Sequence, residues 1–350
     1  QELLERNTNS VVYVVIRAQS DEQAQQRLIE KVQLDEGMHK RVICFAGDLS
    51  KPLFGLSQLV YGELSTKIEY IVHNAAMINM LFDYQAHKPD NVDSTIHVLA
   101  FAATSKLKTV HYISTISVIQ GYKASSSAAI EVPEAVNLEQ AWPFGKVMRR
   151  GYEASKFIAE LLVQMCNSRG IPCIIYRPSL ILGHSVTGSS NETDWFVRLL
   201  TAVIREQLKP PSFYDSCIAD EAAAKNHALL HSINAIPVDF AAQCIAKATL
   251  LPPQVLKNTI VGNDGLMPAA EFSATTPCNN VIHLVQSAEN LQKQREPVDV
   301  DTMIKWISQE LQNIQTSTNY EEWHKYMKLQ CQSDEANRRN NSFIPFVASY

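Results

Sequence analysis

The hydrophobic positions in the first half of the chain form short apolar runs separated by longer polar or amphipathic segments. Residues 11–16 are a continuous, mostly β-branched run, which predicts a strand buried on both faces of a sheet. Segments such as 21–32 and 91–103 have the residue pattern of helices. Further strand-like runs lie at 41–46, 68–72, 109–113 and 173–176. Strands that alternate with helices in this way predict a parallel α/β sheet with right-handed crossovers.

The regular alternation fades beyond residue 183. We therefore predict an α/β fold, a Rossmann-like doubly wound parallel sheet with a smaller C-terminal substrate lobe. Residues 1–183 would form the dinucleotide-binding domain, and 236–257 and 280–286 would return to it. The remaining residues, 184–235 and 258–350, would form the lobe.

Composition and charge exclude several classes of protein. The 350 residues are 46% apolar, enough for one large domain or a core domain with a lobe. The net charge is −5 and the basic residues are scattered, so we expect no nucleic-acid partner. Seven cysteines without a Cys-x-x-Cys pair indicate reduced thiols and no metal site. With no apolar run long enough to span a bilayer, we expect a cytoplasmic protein, although a chain opening with Gln1 leaves upstream targeting open.

A tyrosine and a lysine lie four residues apart at the start of an amphipathic segment, 151–160. Residues at this spacing share a helix face, so Tyr152 and Lys156 would point into one pocket. An ammonium beside a phenol lowers the phenol's pKa from about 10 and makes it a general acid for a carbonyl oxygen. The same spacing occurs at Tyr84 and Lys88, but Pro89 follows there and disfavours a helix, so we expect a loop.

Arg17 follows the first apolar run directly. In doubly wound folds the residue at the end of the second strand meets the adenosine ribose, where a carboxylate suits a 2′-hydroxyl and an arginine suits a 2′-phosphate. Arg17 therefore favours NADP over NAD, and the alternative is a surface arginine at a strand end.

Two later strand ends carry further candidates for dinucleotide contacts. The run at 41–46 is followed by a turn in which Asp48, next to Leu49, would accept a hydrogen bond from an adenine amino group. The run at 68–72 ends in small side chains that would let backbone approach the dinucleotide closely. These residues are Asn74, Ala75 and Ala76.

Taken in order, these motifs and Tyr176-Arg177-Pro178 resemble the extended short-chain dehydrogenase/reductases. More narrowly, the chain resembles the thioester reductase domains that close carboxylic acid reductases, aminoadipate reductases and some nonribosomal peptide or polyketide assembly lines. The resemblance covers roughly residues 1 to 250. The segments that carry it are 15–18, 71–76, 111–115, 151–156 and 236–240.

The family's first strand and its Gly-rich loop are not in this sequence, because Gln1 falls inside the helix that should follow them. That loop and helix hold the cofactor's pyrophosphate. We expect roughly twenty further residues upstream, the size of one strand-turn-helix start. The strand would be central in the sheet, so its loss would leave a buried gap.

The resemblance implies a role for each residue of the catalytic group. Tyr152 would donate a proton to the substrate carbonyl while the nicotinamide delivers hydride. Lys156 would lower the pKa of Tyr152 and hydrogen-bond the nicotinamide ribose. Thr115 would stabilise the same oxygen as negative charge develops, with Ser114 as the competing candidate and Ser117 as a weaker one.

The implied cofactor is NADPH. Arg17 and Arg27 would hold its 2′-phosphate, and Asn91 would hold a helix in place or anchor a water for proton resupply. The other expected cofactor contacts are Asp48, Leu49, Asn74, Ala75, Ala76 and Lys156.

The implied reaction is reduction of a carrier-bound acyl or aminoacyl thioester to a hemithioacetal, which expels the thiol and leaves an aldehyde, or an alcohol after a second reduction. The partner would be a phosphopantetheinylated carrier protein. Lys146, Arg149 and Arg150 would contact it or form a solvated basic turn. Acyl specificity is expected in 121–150 and 184–235. The alternatives are a fatty acyl-CoA reductase, another extended short-chain reductase or epimerase, and a non-catalytic dinucleotide-binding module.

Overall fold

The structure is a computed structural model of the chain. It describes residues 1–119 except 33, 80 and 81, then 138, 151–209 except 193, 234–251, 281–285, 300–311, 314–317, 322, 323 and 325. Apart from Leu138, the predicted loop 121–150 lies outside the described residues, and so do the basic residues Lys146, Arg149 and Arg150.

Helices and strands alternate through the first part of the chain, as the hydrophobic pattern predicts. The strands are β1 (Val12–Ile16), β2 (Val42–Ala46), β3 (Tyr70–His73), β4 (Thr109–Ile113), β5 (Cys173–Pro178), β6 (Leu180–Leu182), β7 (Leu208–Lys209), β8 (Ala235–Pro237), β9 (Val281–Leu284) and β10 (Gln315–Thr316). The α-helices are α1 (Glu2–Arg6), α2 (Asp21–Lys31), α3 (Glu36–His39), α4 (Gln58–Lys67), α5 (Tyr84–His87), α6 (Ser94–Ala103), α7 (Gly151–Ser168), α8 (Trp195–Glu206), α9 (Val238–Leu250) and α10 (Val300–Leu311). None of these helices, in the described part of the chain, has both the length and the apolar character to cross a bilayer.

Side-chain caps explain where several of the helices begin. The oxygen of a Ser or Asp immediately before the helix accepts a hydrogen bond from a backbone N–H of its first turn. The capping residues are Ser20, Asp35, Ser57, Asp83 and Asp194.

All strand pairs in the described residues are parallel. Strands β3, β4, β5 and β9 form a sheet in the order β3-β4-β5-β9, and β1 pairs with β2 in a second sheet. Parallel neighbours joined through helices are the mark of a doubly wound fold, so the predicted α/β class is confirmed.

The expectation that β1 is buried on both faces is wrong. Its five residues are all half-buried, and within the described residues β1 pairs only with β2, as β3 pairs only with β4. A doubly wound sheet carries its first strand between these two positions. The strand expected upstream of residue 1 would belong there, and it stays a prediction.

The chain divides into two compact units. The first comprises Gln1–Ser179 and Asp239–Leu284, and the second comprises Leu180–Val238 and Val285–Tyr350. The core of the first unit packs α4, α6 and α7 against β4 and β5, with Val98, Val110, Ala159 and Ile175 among its buried members. In the second unit α8 buries Phe196, Leu199 and Val203 beside Ile304 and Trp323. That the second unit is a substrate lobe stays a prediction.

The segment around Tyr84 and Lys88 is not the expected loop. Tyr84 begins α5, and Lys88 begins a π-helical turn, Lys88–Asp93. Pro89 is tolerated because it occupies the first turn of that segment, where its missing N–H costs no helical hydrogen bond. The Lys88 ammonium pairs with Asp93 at 2.7 Å.

Candidate active site

Tyr152 and Lys156 lie on the first two turns of α7 and both are buried, with 8% and 3% of their surfaces exposed. The Nζ atom of Lys156 donates a 2.7 Å hydrogen bond to the carbonyl of Ile113, the last residue of β4. The same ammonium lies 4.3 Å from the centroid of the Tyr112 ring, a favourable cation–π distance. The structure therefore brings Lys156 to the end of β4, directly before Ser114 and Thr115.

The pKa of Tyr152 is raised, the opposite of the expected direction. Burial is the main cause and the carboxylate of Glu153 adds to it. A phenol with a raised pKa is fully protonated at neutral pH but is a weaker acid than an ordinary tyrosine, so it donates to a substrate oxygen only as negative charge develops on that oxygen. Burial also lowers the pKa of Lys156 to about 7, against the opposing effect of the Glu160 carboxylate.

The three candidate hydroxyls after β4 differ in their partners. Ser114 is buried and its Oγ donates to Oε2 of Glu160 at 2.5 Å. Thr115 is half-buried; its Oγ1 accepts from the Ser117 N–H at 3.2 Å and donates to the Ser117 hydroxyl at 3.3 Å. Since Ser114 is committed to a carboxylate in the interior, Thr115 is the better placed hydroxyl for a substrate oxygen.

Asn91 lies buried in the π-helical turn, a feature often found at functional sites. Its Oδ1 accepts from the Met77 N–H at 2.7 Å, and its Nδ2 donates to the Met77 carbonyl at 3.0 Å and to Ser155 Oγ at 2.8 Å. Ser155 Oγ in turn donates to the Tyr152 carbonyl at 2.7 Å. Of the two expected roles, these contacts favour holding the helix that carries Tyr152.

Residues Asn74, Ala75 and Ala76 are exposed and follow the buried His73 at the end of β3. The His73 ring is within hydrogen-bonding distance of Thr95 Oγ1, at 3.1 Å, and burial lowers its pKa to about 3, so it is neutral. The contact with Thr95 fixes the side chain of the residue directly before this exposed backbone.

The expected adenosine contacts cluster at the ends of β1 and β2. The Arg17 guanidinium pairs with Asp90 and, at 3.1 Å, with Asp48. Arg27 donates to the Arg17 carbonyl, so the two arginines lie together. Leu49 packs on the core, and its carbonyl is 2.8 Å from the Nδ1 atom of His97.

These groups fit a dinucleotide. They lie at or just beyond the carboxyl ends of β1 to β4, the edge where open α/β sheets bind ligands. At Gly47 an added Cβ would lie 2.6 Å from the Phe54 carbonyl, so the turn after β2 depends on a residue without a side chain. The described residues contain no cluster of three or more His, Cys, Asp or Glu side chains that could hold a metal ion.

The sequence reasoning missed Gly151 and Glu160. A Cβ on Gly151 would lie 2.1 Å from the Phe82 carbonyl, which only the folded chain reveals. Glu160 follows Lys156 by four residues, so the helical spacing that identified Tyr152 and Lys156 was also a signal for Glu160. Its carboxylate pairs with Arg177, and both side chains are fully buried.

Comparison with known proteins shows the family to which the chain belongs. The model of the Male sterility protein family, a family of NAD-binding domains, matches residues 1–245. The chain belongs to this family. Membership confirms the expected nicotinamide dinucleotide reductase class. A component of the linear gramicidin synthase of Brevibacillus parabrevis is 30% identical over 258 residues, which are 72% of this chain and 5% of that protein.

Solved structures share the fold of this family member. A reductase domain of a nonribosomal peptide synthetase from Mycobacterium tuberculosis superposes with a TM-score of 0.72 at 23% identity, over 99% of this chain and 76% of that one. A thiolation-reductase di-domain from an archaeal nonribosomal peptide synthetase superposes with a TM-score of 0.61 at 19% identity, over 100% of this chain and 63% of that one. The Rossmann-like fold and the resemblance to reductase domains are confirmed.

Proposed function

We propose that the chain is a reductase domain that releases a carrier-bound acyl or aminoacyl thioester as an aldehyde, with NADPH as reductant. The observation that carries the proposal is the buried pair Tyr152 and Lys156 on α7, fixed to the end of β4 beside Thr115 by the bond from Lys156 to the Ile113 carbonyl. The family match and the likeness to the gramicidin synthase component and to reductase domains support it.

The chain's own residues handle the proton and the developing charge. A bound nicotinamide supplies the hydride. Tyr152 donates its proton to the thioester oxygen, and its raised pKa keeps that proton in place until then. Thr115 donates a hydrogen bond to the same oxygen, and the positive charge of Lys156 stabilises the negative charge that develops.

The product of this addition is a hemithioacetal. Its C–S bond breaks, the oxygen-bound proton is lost as the carbonyl re-forms, and the sulfur leaves as the thiol of the carrier arm. One thioester and one NADPH, with one proton, therefore give one aldehyde, one thiol and NADP⁺. A second round on the aldehyde would give the alcohol.

The preference for NADPH rests on Arg17 and Arg27. Arg17 directly follows β1 and has more than half of its side chain exposed, and Arg27 lies on α2, from which its side chain reaches the Arg17 carbonyl. A 2′-phosphate would compete with Asp48 and Asp90 for the Arg17 guanidinium. Asn74, Ala75 and Ala76 would lie along the dinucleotide, and Lys156 would bind its ribose.

The carrier partner is proposed from the similar proteins. One belongs to the linear gramicidin synthase, and one solved neighbour joins a thiolation domain to a reductase domain. We propose the cytoplasm as the compartment of the reaction, and residues 121–150 and 184–235 as the segments that determine acyl specificity.

The test is NADPH oxidation by the protein, with a loaded carrier and with the matching acyl-CoA. We expect aldehyde, trapped as its hydrazone, from the loaded carrier. Faster turnover of the acyl-CoA would support an acyl-CoA reductase instead. Absence of NADPH oxidation with any loaded carrier or acyl-CoA would contradict the proposal.

A further inference from the structure

Side chains from three elements meet at the carboxylate of Glu160, deep in the first unit. Oε2 accepts from Ser114 Oγ at 2.5 Å. Oε1 accepts from Arg177, from Nε at 3.0 Å and Nη2 at 2.5 Å, and from Gln164 Nε2 at 3.1 Å. Arg177 Nη1 also donates to His283 Nε2 at 3.1 Å. One carboxylate therefore ties α7 to the end of β4 and to β5.

Successive turns of α7 hold successive residues of the chain leaving β4. Lys156 binds the carbonyl of Ile113, and Glu160 binds the hydroxyl of Ser114. The Ser114 N–H also donates to the Tyr176 carbonyl at 2.7 Å, so the residue before Thr115 is fixed on two sides. The place of the Thr115 hydroxyl relative to α7 depends on these bonds.

Glu160 is also the acidic neighbour of Lys156. The titratable groups that interact with Lys156 in the described residues are His73 on β3, Tyr112 on β4 and Glu160 on α7, and Tyr152 lies one turn before Lys156 on the same helix. His73 is neutral, and burial raises the pKa of Tyr112 so that it is neutral too. The negative charge that acts on the Lys156 ammonium is that of the Glu160 carboxylate, which is itself paired with the Arg177 guanidinium.

Stability alone does not account for this ion pair. Replacing a buried ion pair by apolar side chains of similar volume is often neutral or stabilising, because both charges lose their hydration when buried. A fully buried pair bonded to the residue beside Thr115 is better explained by the positions and charges that it maintains.

We propose that Glu160 is a positioning residue of the reduction, which fixes Thr115 through Ser114 and holds the positive charge of Lys156. The inference rests on the proposed function, since it assigns Glu160 a part in that chemistry. Two substitutions separate the geometric effect from the effect of charge. Ser114→Ala removes the geometric link and keeps the charge, whereas Glu160→Gln removes the charge and keeps the shape.

The experiment measures kcat against pH from 5.5 to 9.5 on a loaded carrier, together with the KM for NADPH. For Ser114→Ala we expect kcat to decrease about tenfold, since one supporting hydrogen bond to a charged group is lost. The KM for NADPH should not change, and neither should the basic midpoint, which is the pH at which kcat has fallen to half on the alkaline side of the profile. For Glu160→Gln we expect the basic midpoint to move about one pH unit lower, because Lys156 loses its adjacent carboxylate.

Gln164→Ala is the matched control, because it removes a hydrogen bond to the same carboxylate on the side away from Ser114. In this variant kcat should stay within about twofold of the wild-type value and the basic midpoint within a few tenths of a pH unit, as expected for a part-exposed contact. If Glu160→Gln fails to fold, Ser114→Ala decides. Wild-type kcat in folded Ser114→Ala, or an unmoved midpoint in folded Glu160→Gln, overturns the inference while leaving the proposed function intact. Inactivity of the wild type rejects the proposed function instead.

Discussion

The ammonium of Lys156 donates a 2.7 Å hydrogen bond to the carbonyl of Ile113, which joins the helix carrying Tyr152 to the last residue of β4. That bond places a buried positive charge two residues from Thr115. It also removes the charge from water, and burial lowers the pKa of Lys156 to about 7. Catalytic activity and folding stability should therefore both depend on whether Lys156 is protonated.

The first prediction concerns activity. Lys156 stabilises developing negative charge only when it is protonated, so kcat should fall as pH rises through about 7. Steady-state rates between pH 5.5 and 9.5, with the cofactor saturating, give the midpoint. A profile that stays flat to pH 9 would show that the Lys156 charge is not needed.

The second prediction concerns stability and the same proton. The pKa of Lys156 is about 7 in the folded chain and 10.5 for an ordinary lysine, so between these values the unfolded chain binds more protons. Stability should therefore rise with pH across this window. Denaturant unfolding of the wild type and of Lys156→Met at several pH values isolates the contribution of Lys156. Equal slopes of the free energy of unfolding against pH in the two proteins would contradict the prediction.

A third prediction concerns the start of α7. In Gly151→Ala the new Cβ would lie 2.1 Å from the Phe82 carbonyl, so the helix must shift away from residues 82 and 83. A displacement of about 1 Å at a catalytic group lowers kcat about 100-fold. Gly62→Ala is the control, because nothing lies within 4 Å of its added Cβ. It should raise stability by about 1 kcal/mol in α4 and leave kcat unchanged.

A fourth prediction concerns Asn91. In Asn91→Ala the buried backbone groups of Met77 and the hydroxyl of Ser155 lose their partner. We expect the free energy of unfolding to fall by about 2 kcal/mol and kcat to fall with it, since unpaired buried polar groups cost about 1–3 kcal/mol. Urea unfolding checks the first effect, and wild-type stability in this variant would contradict the assigned role.

A fifth prediction concerns cofactor choice. Arg17→Ala should raise the KM for NADPH about tenfold and leave the KM for NADH unchanged, since charge-assisted hydrogen bonds contribute about 1.5–3 kcal/mol. Arg6→Ala removes an arginine from an exposed helix pair and serves as the control. Equal changes in the KM for NADPH and the KM for NADH would show that Arg17 does not bind the 2′-phosphate.

Much of the fold was predictable because strands and helices leave local patterns. The apolar run at 109–113 matches β4 without error, and α7 begins at Gly151 as expected. The Tyr84 segment was misjudged because the cap by Asp83 and the favourable first-turn position of Pro89 outweighed proline's restriction of the preceding residue.

The candidate site was predictable only where residues are close in sequence. Tyr152 and Lys156 share one helix face, so their spacing identified them. The bond from Asn91 to Ser155 joins residues 64 positions apart, and no local pattern encodes it. The raised pKa of Tyr152 was missed for a similar reason, since burial is a property of the folded chain.

The most direct test compares Tyr152→Phe with Tyr84→Phe, because both tyrosines lie four residues before a lysine and both lie in the first turn of a helix. The measurement is aldehyde released from a loaded carrier in a single turnover with NADPH. Tyr152→Phe should slow release by at least about 100-fold, as expected for loss of a general acid, while Tyr84→Phe stays within about twofold of the wild type. Equal release from Tyr152→Phe and the wild type would contradict the account.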